Sequence, residues 1–155
     1  MPGTAACRRY TPSKTPSAWS NQLMKTVLFV CIENSNRSQM AEAFARMHGD
    51  GRIAAASAGS KPSGRVNPRA VAAMQECGYD LSTHASKGLT EFEGRTVDVV
   101  VTMGCGDQCP SLRAGRRVDW LIPDPRDMTP EEFRDVRDLI ERKVRDLLID
   151  LESNS

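Results

Sequence analysis

Cys31 closes a short apolar run, Val27-Leu28-Phe29-Val30, and is followed by Ile32-Glu33-Asn34-Ser35-Asn36-Arg37-Ser38. A cysteine, five residues, an arginine and a serine at a strand-to-helix turn have a definite chemistry. Successive backbone N–H groups in a tight loop form an anion-binding concavity. The following helix adds its free N–H groups and the positive end of its dipole. Arg37 can hold two oxygens of a tetrahedral oxyanion at once. The same field favours a thiolate at Cys31, and the Ser38 hydroxyl is placed to donate a hydrogen bond to it. Asn34 can brace the loop from inside. The oxyanion-binding set is therefore Ile32, Glu33, Asn34, Ser35, Asn36 and Arg37, with Cys31 as nucleophile. Glu33 is the odd member. An inward carboxylate would oppose an anion, so it is expected to face solvent.

The elements around this loop alternate. Val27–Val30 suits a central parallel strand covered on both faces. Ser38 to about His48 reads as a helix, with Met40, Ala41, Phe44 and Met47 three and four apart. Residues 53–57 read as a second strand. Asn67-Pro68 gives a helix N-cap followed by proline at the first helical position, and Gly78 can end that helix. Residues 97–103 form a third strand and residues 118–122 a short fourth. Thr129-Pro130-Glu131-Glu132 combines a capping box with a first-turn proline. It opens a helix striped by Phe133, Val136, Leu139, Ile140, Val144, Leu147 and Leu151. Alternation of this kind implies an α/β fold with a parallel, doubly wound sheet. At carboxyl strand ends of such sheets, ligands bind, and Cys31 sits at one.

The chain has 155 residues, enough for one domain, expected over residues 24–155. Residues 1–23, rich in Ser, Thr and Pro, read as a disordered extension, with Met24 as an alternative start. No apolar segment follows Arg8-Arg9, so a secretion signal is not expected. No run approaches the ~20 apolar residues of a membrane span. The net charge of +1 gives no reason to expect nucleic acid or a membrane as a partner. A cytoplasmic monomer is the expectation. Five cysteines, Cys7, Cys31, Cys77, Cys105 and Cys109, argue against a disulfide framework and leave reactive thiols open. No metal site is expected, because Cys105 and Cys109 have no histidine close by in sequence to complete a zinc set. Cys77 and Trp120 read as packing residues, and His84 as a solvated loop histidine.

The segment Val30–Glu42, VCIENSNRSQMAE, resembles the low-molecular-weight tyrosine phosphatase superfamily, and Gln39-Met40-Ala41-Glu42 resembles its arsenate reductase branch. Ser57-Ala58-Gly59, Val66-Asn67-Pro68, Val100–Pro110 and Asp124-Pro125 match further family segments, so the resemblance spans about residues 24–152. It implies a four-stranded parallel sheet with helices on both faces. It implies Asp124 as general acid; without the resemblance Asp124-Pro125 reads as a turn. Some family members bind potassium through residues matching Asn34, Glu42 and Ser57 plus a further carboxylate. Lys87 stands at that last position here: either its ammonium replaces the cation and neutralises Glu42, or it is a surface lysine.

Cys105 and Cys109 separate two activities. A phosphatase needs one cysteine, whereas an arsenate reductase needs thiols to pass two electrons to the arsenic. Both cysteines follow the third strand in a Gly-rich stretch, at the sheet edge that carries Cys31. The expected function is thiol-dependent reduction of arsenate to arsenite, with Cys105 and Cys109 as resolving or shuttle thiols. No bound cofactor is expected. The reductant would be external: thioredoxin, glutathione/glutaredoxin or mycothiol. The alternative is a phosphatase acting on phosphomonoesters. The absence of an aromatic residue close behind Asp124-Pro125-Arg126 disfavours phosphotyrosine.

Overall fold

The computed structural model describes residues 25–49, 51–103 and 113–153. The N-terminal extension and the Cys105 and Cys109 positions lie outside them. In chain order the elements are β1 (Lys25–Cys31), α1 (Arg37–Gly49), β2 (Ile53–Gly59), α2 (Pro68–Gln75), β3 (Thr96–Thr102), β4 (Arg113–Asp119) and α3 (Pro130–Ser153). Two 3-10 turns, Leu81–Thr83 and Leu89–Phe92, lie between α2 and β3. All strand pairs are parallel, in the order β2-β1-β3-β4.

β1 is central, which explains its unbroken apolar run. Val27, Phe29 and Cys31 enter the larger core cluster with residues of α1, α2 and α3, while Leu28 and Val30 enter a second cluster. Both faces are covered, as expected. The covers differ: α-helical residues line the larger cluster, while Leu89 and Phe92 of the 3-10 turn cap the smaller one. Apolar burial on both sides holds the strand that ends in Cys31, at roughly 1.5–3 kcal/mol per large side chain.

Two elements depart from the sequence reading. α1 was expected to bury one face, yet most of its residues are buried, including Arg37, Ser38, Gln39 and Glu42. The polar ones face the loop and its support rather than solvent. β4 runs over 113–119 rather than 118–122. It is an edge strand whose exposed Arg113, Arg116 and Arg117 discourage further strand pairing. Trp120 and Ile122, past its end, are buried in the main cluster. Trp120 packs against Phe29 with ring centroids 5.9 Å apart.

The caps behave as their sequences require. Asn67 Oδ1 accepts from Arg69 N at 2.9 Å. Gly78 takes φ +83°, a left-handed conformation that ends α2 without a Cβ penalty. At α3, Glu132 N donates to Thr129 Oγ1 at 3.2 Å and Thr129 N donates to Glu132 Oε1 at 3.0 Å. Among the described residues no helix is long and apolar enough to cross a membrane.

Candidate functional site

The loop between β1 and α1 is shaped by its neighbour, the segment after β2. The carbonyls of Cys31, Ile32, Glu33 and Ser35 accept hydrogen bonds from Ser60, Lys61, Ser63 and Asn67 N–H groups respectively, at 2.7–3.2 Å. Carbonyls held outward turn the N–H side of the loop inward. This close approach needs Gly59, where a Cβ would lie 2.6 Å from Ile32 O and 2.8 Å from Asn34 N. α1 begins at Arg37, so its N-terminal dipole points into the same concavity.

Asn34 is the keystone of the loop. It is fully buried and adopts φ +52°, a conformation asparagine tolerates better than most residues. Its Nδ2 donates to Ser38 Oγ at 2.8 Å. Ser38 Oγ lies 2.9 Å from Cys31 Sγ. Because Ser38 Oγ already accepts from Asn34, its own proton is free to point at the sulfur. Asn34 Oδ1 accepts from Gln39 Nε2 at 2.9 Å and from Lys87 N at 2.7 Å.

Arg37 comes in from the other side with its side chain only 9% exposed. Its Nη1 donates to Ile122 O at 3.2 Å, and its Nη2 lies 3.8 Å from Asp124 Oδ2. Cys31, Ile32, Glu33, Ser35, Asn36, Arg37, Asp124 and Arg126 line one cavity of about 230 Å³. The structure thus brings most of the expected set together, with Asn34 and Ser38 beneath the loop rather than in the cavity wall. Glu33 sits half-exposed at the cavity rim, in line with an outward-facing carboxylate, and there it pairs with Arg126, Oε2 to Nη1 2.9 Å.

Below the loop lies a buried polar cluster. Glu42 Oε1 accepts from Ser57 Oγ at 2.6 Å, and its Oε2 lies 2.7 Å from Arg46 Nη2. Lys87 Nζ is 3.9 Å from Glu42 Oε1 and donates to Ala85 O at 3.1 Å. His84 is not a solvated histidine: its side chain is 6% exposed. Its Nδ1 is 2.9 Å from Gln39 Oε1 and its Nε2 2.7 Å from Tyr79 OH. Gln39 Nε2 already donates to oxygens of Asn34 and Ala85. The facing Gln39 atom is therefore an acceptor, so His84 Nδ1 carries the proton and the neutral ring accepts from Tyr79 at Nε2. Burial holds the His84 pKa below the ordinary histidine value, partly offset by the Glu42 carboxylate.

Three features escaped the sequence reading. Arg46, four residues after Glu42, is its main cationic partner, a spacing that could have suggested it. Arg69 donates to the carbonyls of Arg126, at 2.7 Å, and of Met128, and so anchors the turn that carries Asp124. Its signal was a cation in the first turn of α2, where the helix dipole disfavours one. Cys77 is buried as expected, yet it is disulfide-bonded.

A parallel α/β sheet with an oxyanion loop at the end of its central strand defines the class. The family model described as low molecular weight phosphotyrosine protein phosphatase matches residues 26–155, and the chain belongs to that family. Within it the chain is 41% identical over 128 residues to a glutaredoxin arsenate reductase of Synechocystis sp., covering 81% of this chain and 97% of that protein. It is 39% identical over 120 residues to an arsenate reductase of Staphylococcus aureus, covering 75% and 90%. Among solved structures, an arsenate reductase in the phosphate binding state superposes with TM-score 0.73 at 39% identity, covering 82% of this chain and 98% of that one.

Proposed function

We propose that the protein is an arsenate reductase working through the Cys31 thiolate. The observation that carries the reading is that Cys31, Arg37 and Asp124 line a single cavity at the head of α1. Arsenate enters with its oxygens on the loop N–H groups and the Arg37 guanidinium. The thiolate attacks arsenic, a Cys31 sulfur–arsenic bond forms, and an As–O bond breaks. Asp124 supplies the proton to the departing oxygen. A second thiolate, from Cys105 or Cys109, then attacks the Cys31 sulfur. The sulfur–arsenic electron pair passes to arsenic, which leaves as arsenite, and the two sulfurs form a disulfide. An external thiol system restores the dithiol. A small-thiol system of the glutathione/glutaredoxin or mycothiol kind is the donor favoured by the short Cys105–Cys109 spacing. The reaction is placed in the cytoplasm, where such thiols are kept reduced, and in a monomer.

The test is arsenate-dependent NADPH oxidation with thioredoxin, glutaredoxin/glutathione and mycothiol systems in turn, beside p-nitrophenyl phosphate hydrolysis. Cys31→Ser is expected to abolish both activities. Cys105→Ser is expected to abolish reduction and spare hydrolysis. Cys77→Ser belongs in the same panel because Cys77 is itself disulfide-bonded. Hydrolysis with no arsenate turnover in any system would overturn the assignment in favour of a phosphatase.

The loop support is proposed to be independent of potassium. The oxygens that would coordinate it already have protein donors: Ser57 and Arg46 on Glu42, and Gln39 and the Lys87 amide on Asn34. The cations Arg46 and Lys87 stand beside the Glu42 carboxylate. Potassium chloride and sodium chloride at equal ionic strength should give the same activity and melting temperature. A rise specific to potassium would sink the idea.

A further inference from the structure

We propose that the Glu33–Arg126 ion pair is a specificity latch at the mouth of the oxyanion pocket, admitting an inorganic tetraoxyanion and turning away an organic phosphomonoester or phosphonate. The inference rests on the oxyanion-binding reading of this pocket and deepens it by naming the substrate size it selects. Burial orders the cavity from floor to mouth. Cys31 is 2% exposed at the floor, whereas the Glu33 and Arg126 side chains are 43% and 55% exposed at the rim. The two residues come from opposite walls, Glu33 from the β1–α1 loop and Arg126 from the turn after Asp124. Their 2.9 Å contact joins those walls.

In-line attack by Cys31 fixes where the leaving group lies. It must be opposite the sulfur, towards Asp124 and the mouth. For arsenate that group is a single oxygen, which fits beneath the pair. For a phosphomonoester it is an alkoxy or aryloxy group, which must pass through the space that the pair crosses.

Both ends of the latch are anchored by backbone contacts. Glu33 O accepts from Ser63 N at 3.0 Å and from Ser86 Oγ at 3.1 Å. Arg126 N donates to Asp124 Oδ1 at 3.1 Å, and Arg126 O accepts from Arg69 Nη1 at 2.7 Å. The pair therefore also tethers the Asp124 turn over the loop. It answers why a carboxylate is tolerated in an anion-binding loop: Arg126 neutralises it. Exposure on both sides keeps the pair weak enough to open for exchange.

The test measures binding of inorganic phosphate and of non-hydrolysable phenylphosphonate by calorimetry, in the full chain and in Glu33→Gln, Arg126→Gln and the charge-swapped Glu33→Arg/Arg126→Glu. Each single variant is expected to raise phenylphosphonate affinity relative to phosphate about two- to five-fold, the range of an exposed ion pair. Phosphate affinity itself should move in opposite directions: up in Glu33→Gln, where Arg126 is released, and down in Arg126→Gln, where Glu33 is uncompensated. The swap should return the ratio to its starting value. An unchanged ratio in both single variants, or a swap no better than the singles, overturns the latch. None of these readouts needs turnover, so a protein that fails to reduce arsenate defeats the functional reading while the latch is still decided by binding.

Discussion

Arg37→Lys is expected to lower kcat/KM for arsenate about 100-fold or more while leaving the melting temperature within a few degrees. The charge survives this substitution, so any loss measures geometry. Arg37 spans the cavity wall with one nitrogen donating to Ile122 O at 3.2 Å and another 3.8 Å from Asp124 Oδ2. A planar guanidinium can keep that backbone anchor and still offer two parallel N–H groups to an oxyanion. An ammonium is a point charge on a flexible stem and cannot do both. Removing one aligned donor from an oxyanion site costs about 100- to 1,000-fold in rate, and lysine forfeits the alignment of at least one. The side chain is nearly buried, but its partners are the cavity and a loop carbonyl rather than the apolar core, so the fold should survive. Steady-state kinetics, phosphate binding and a thermal melt on one preparation check this. Turnover within threefold of the parent would mean that Arg37 does not clamp the oxyanion.

The strand, tight loop and helix N-terminus around Cys31 to Ser38 were legible because that arrangement leaves the backbone few conformations. The α3 cap and apolar stripe were legible because local hydrogen bonds and helical period specify them. What stayed hidden depends on long-range contact. β4 carries arginines at positions 113, 116 and 117, and only pairing with β3 makes it a strand. His84 reads as a loop histidine because Gln39, 45 residues away, meets it only after the chain has folded over α1. The partner of the outward Glu33 carboxylate stayed hidden, since nothing in its own loop predicts Arg126, 93 residues away. Arg69 is hidden for the same reason, acting across to the turn at 126–128.

Asn34→Ala is expected to be the most destabilising single change in the loop, by about 3 kcal/mol or more, because three buried groups lose their partner together. Ser38 Oγ loses a donor, while Gln39 Nε2 and the Lys87 amide lose an acceptor. Each buried orphan costs roughly 1–3 kcal/mol, reduced where Gln39 falls back on its other acceptors, Asn34 O and Ala85 O. Alanine also meets a left-handed backbone at φ +52°, a further cost of about 1 kcal/mol. Asn34→Gly removes that strain but restores no hydrogen bond, so it should sit between the alanine variant and the parent. Asn34→Asp separates stability from chemistry. It keeps an oxygen for Gln39 and Lys87 and therefore much of the stability. It replaces the donor to Ser38 by an anion, so the Ser38 proton turns from Cys31 Sγ to the new carboxylate. The thiolate then loses its hydrogen bond and gains a negative neighbour. Denaturant unfolding should rank the variants Ala, Gly, Asp in order of decreasing damage. Alkylation of Cys31 by iodoacetamide at neutral pH should instead be slowest, relative to stability, in Asn34→Asp. An alanine variant within about 1 kcal/mol of the parent would show that the loop is held by its backbone bonds to residues 60–67 alone.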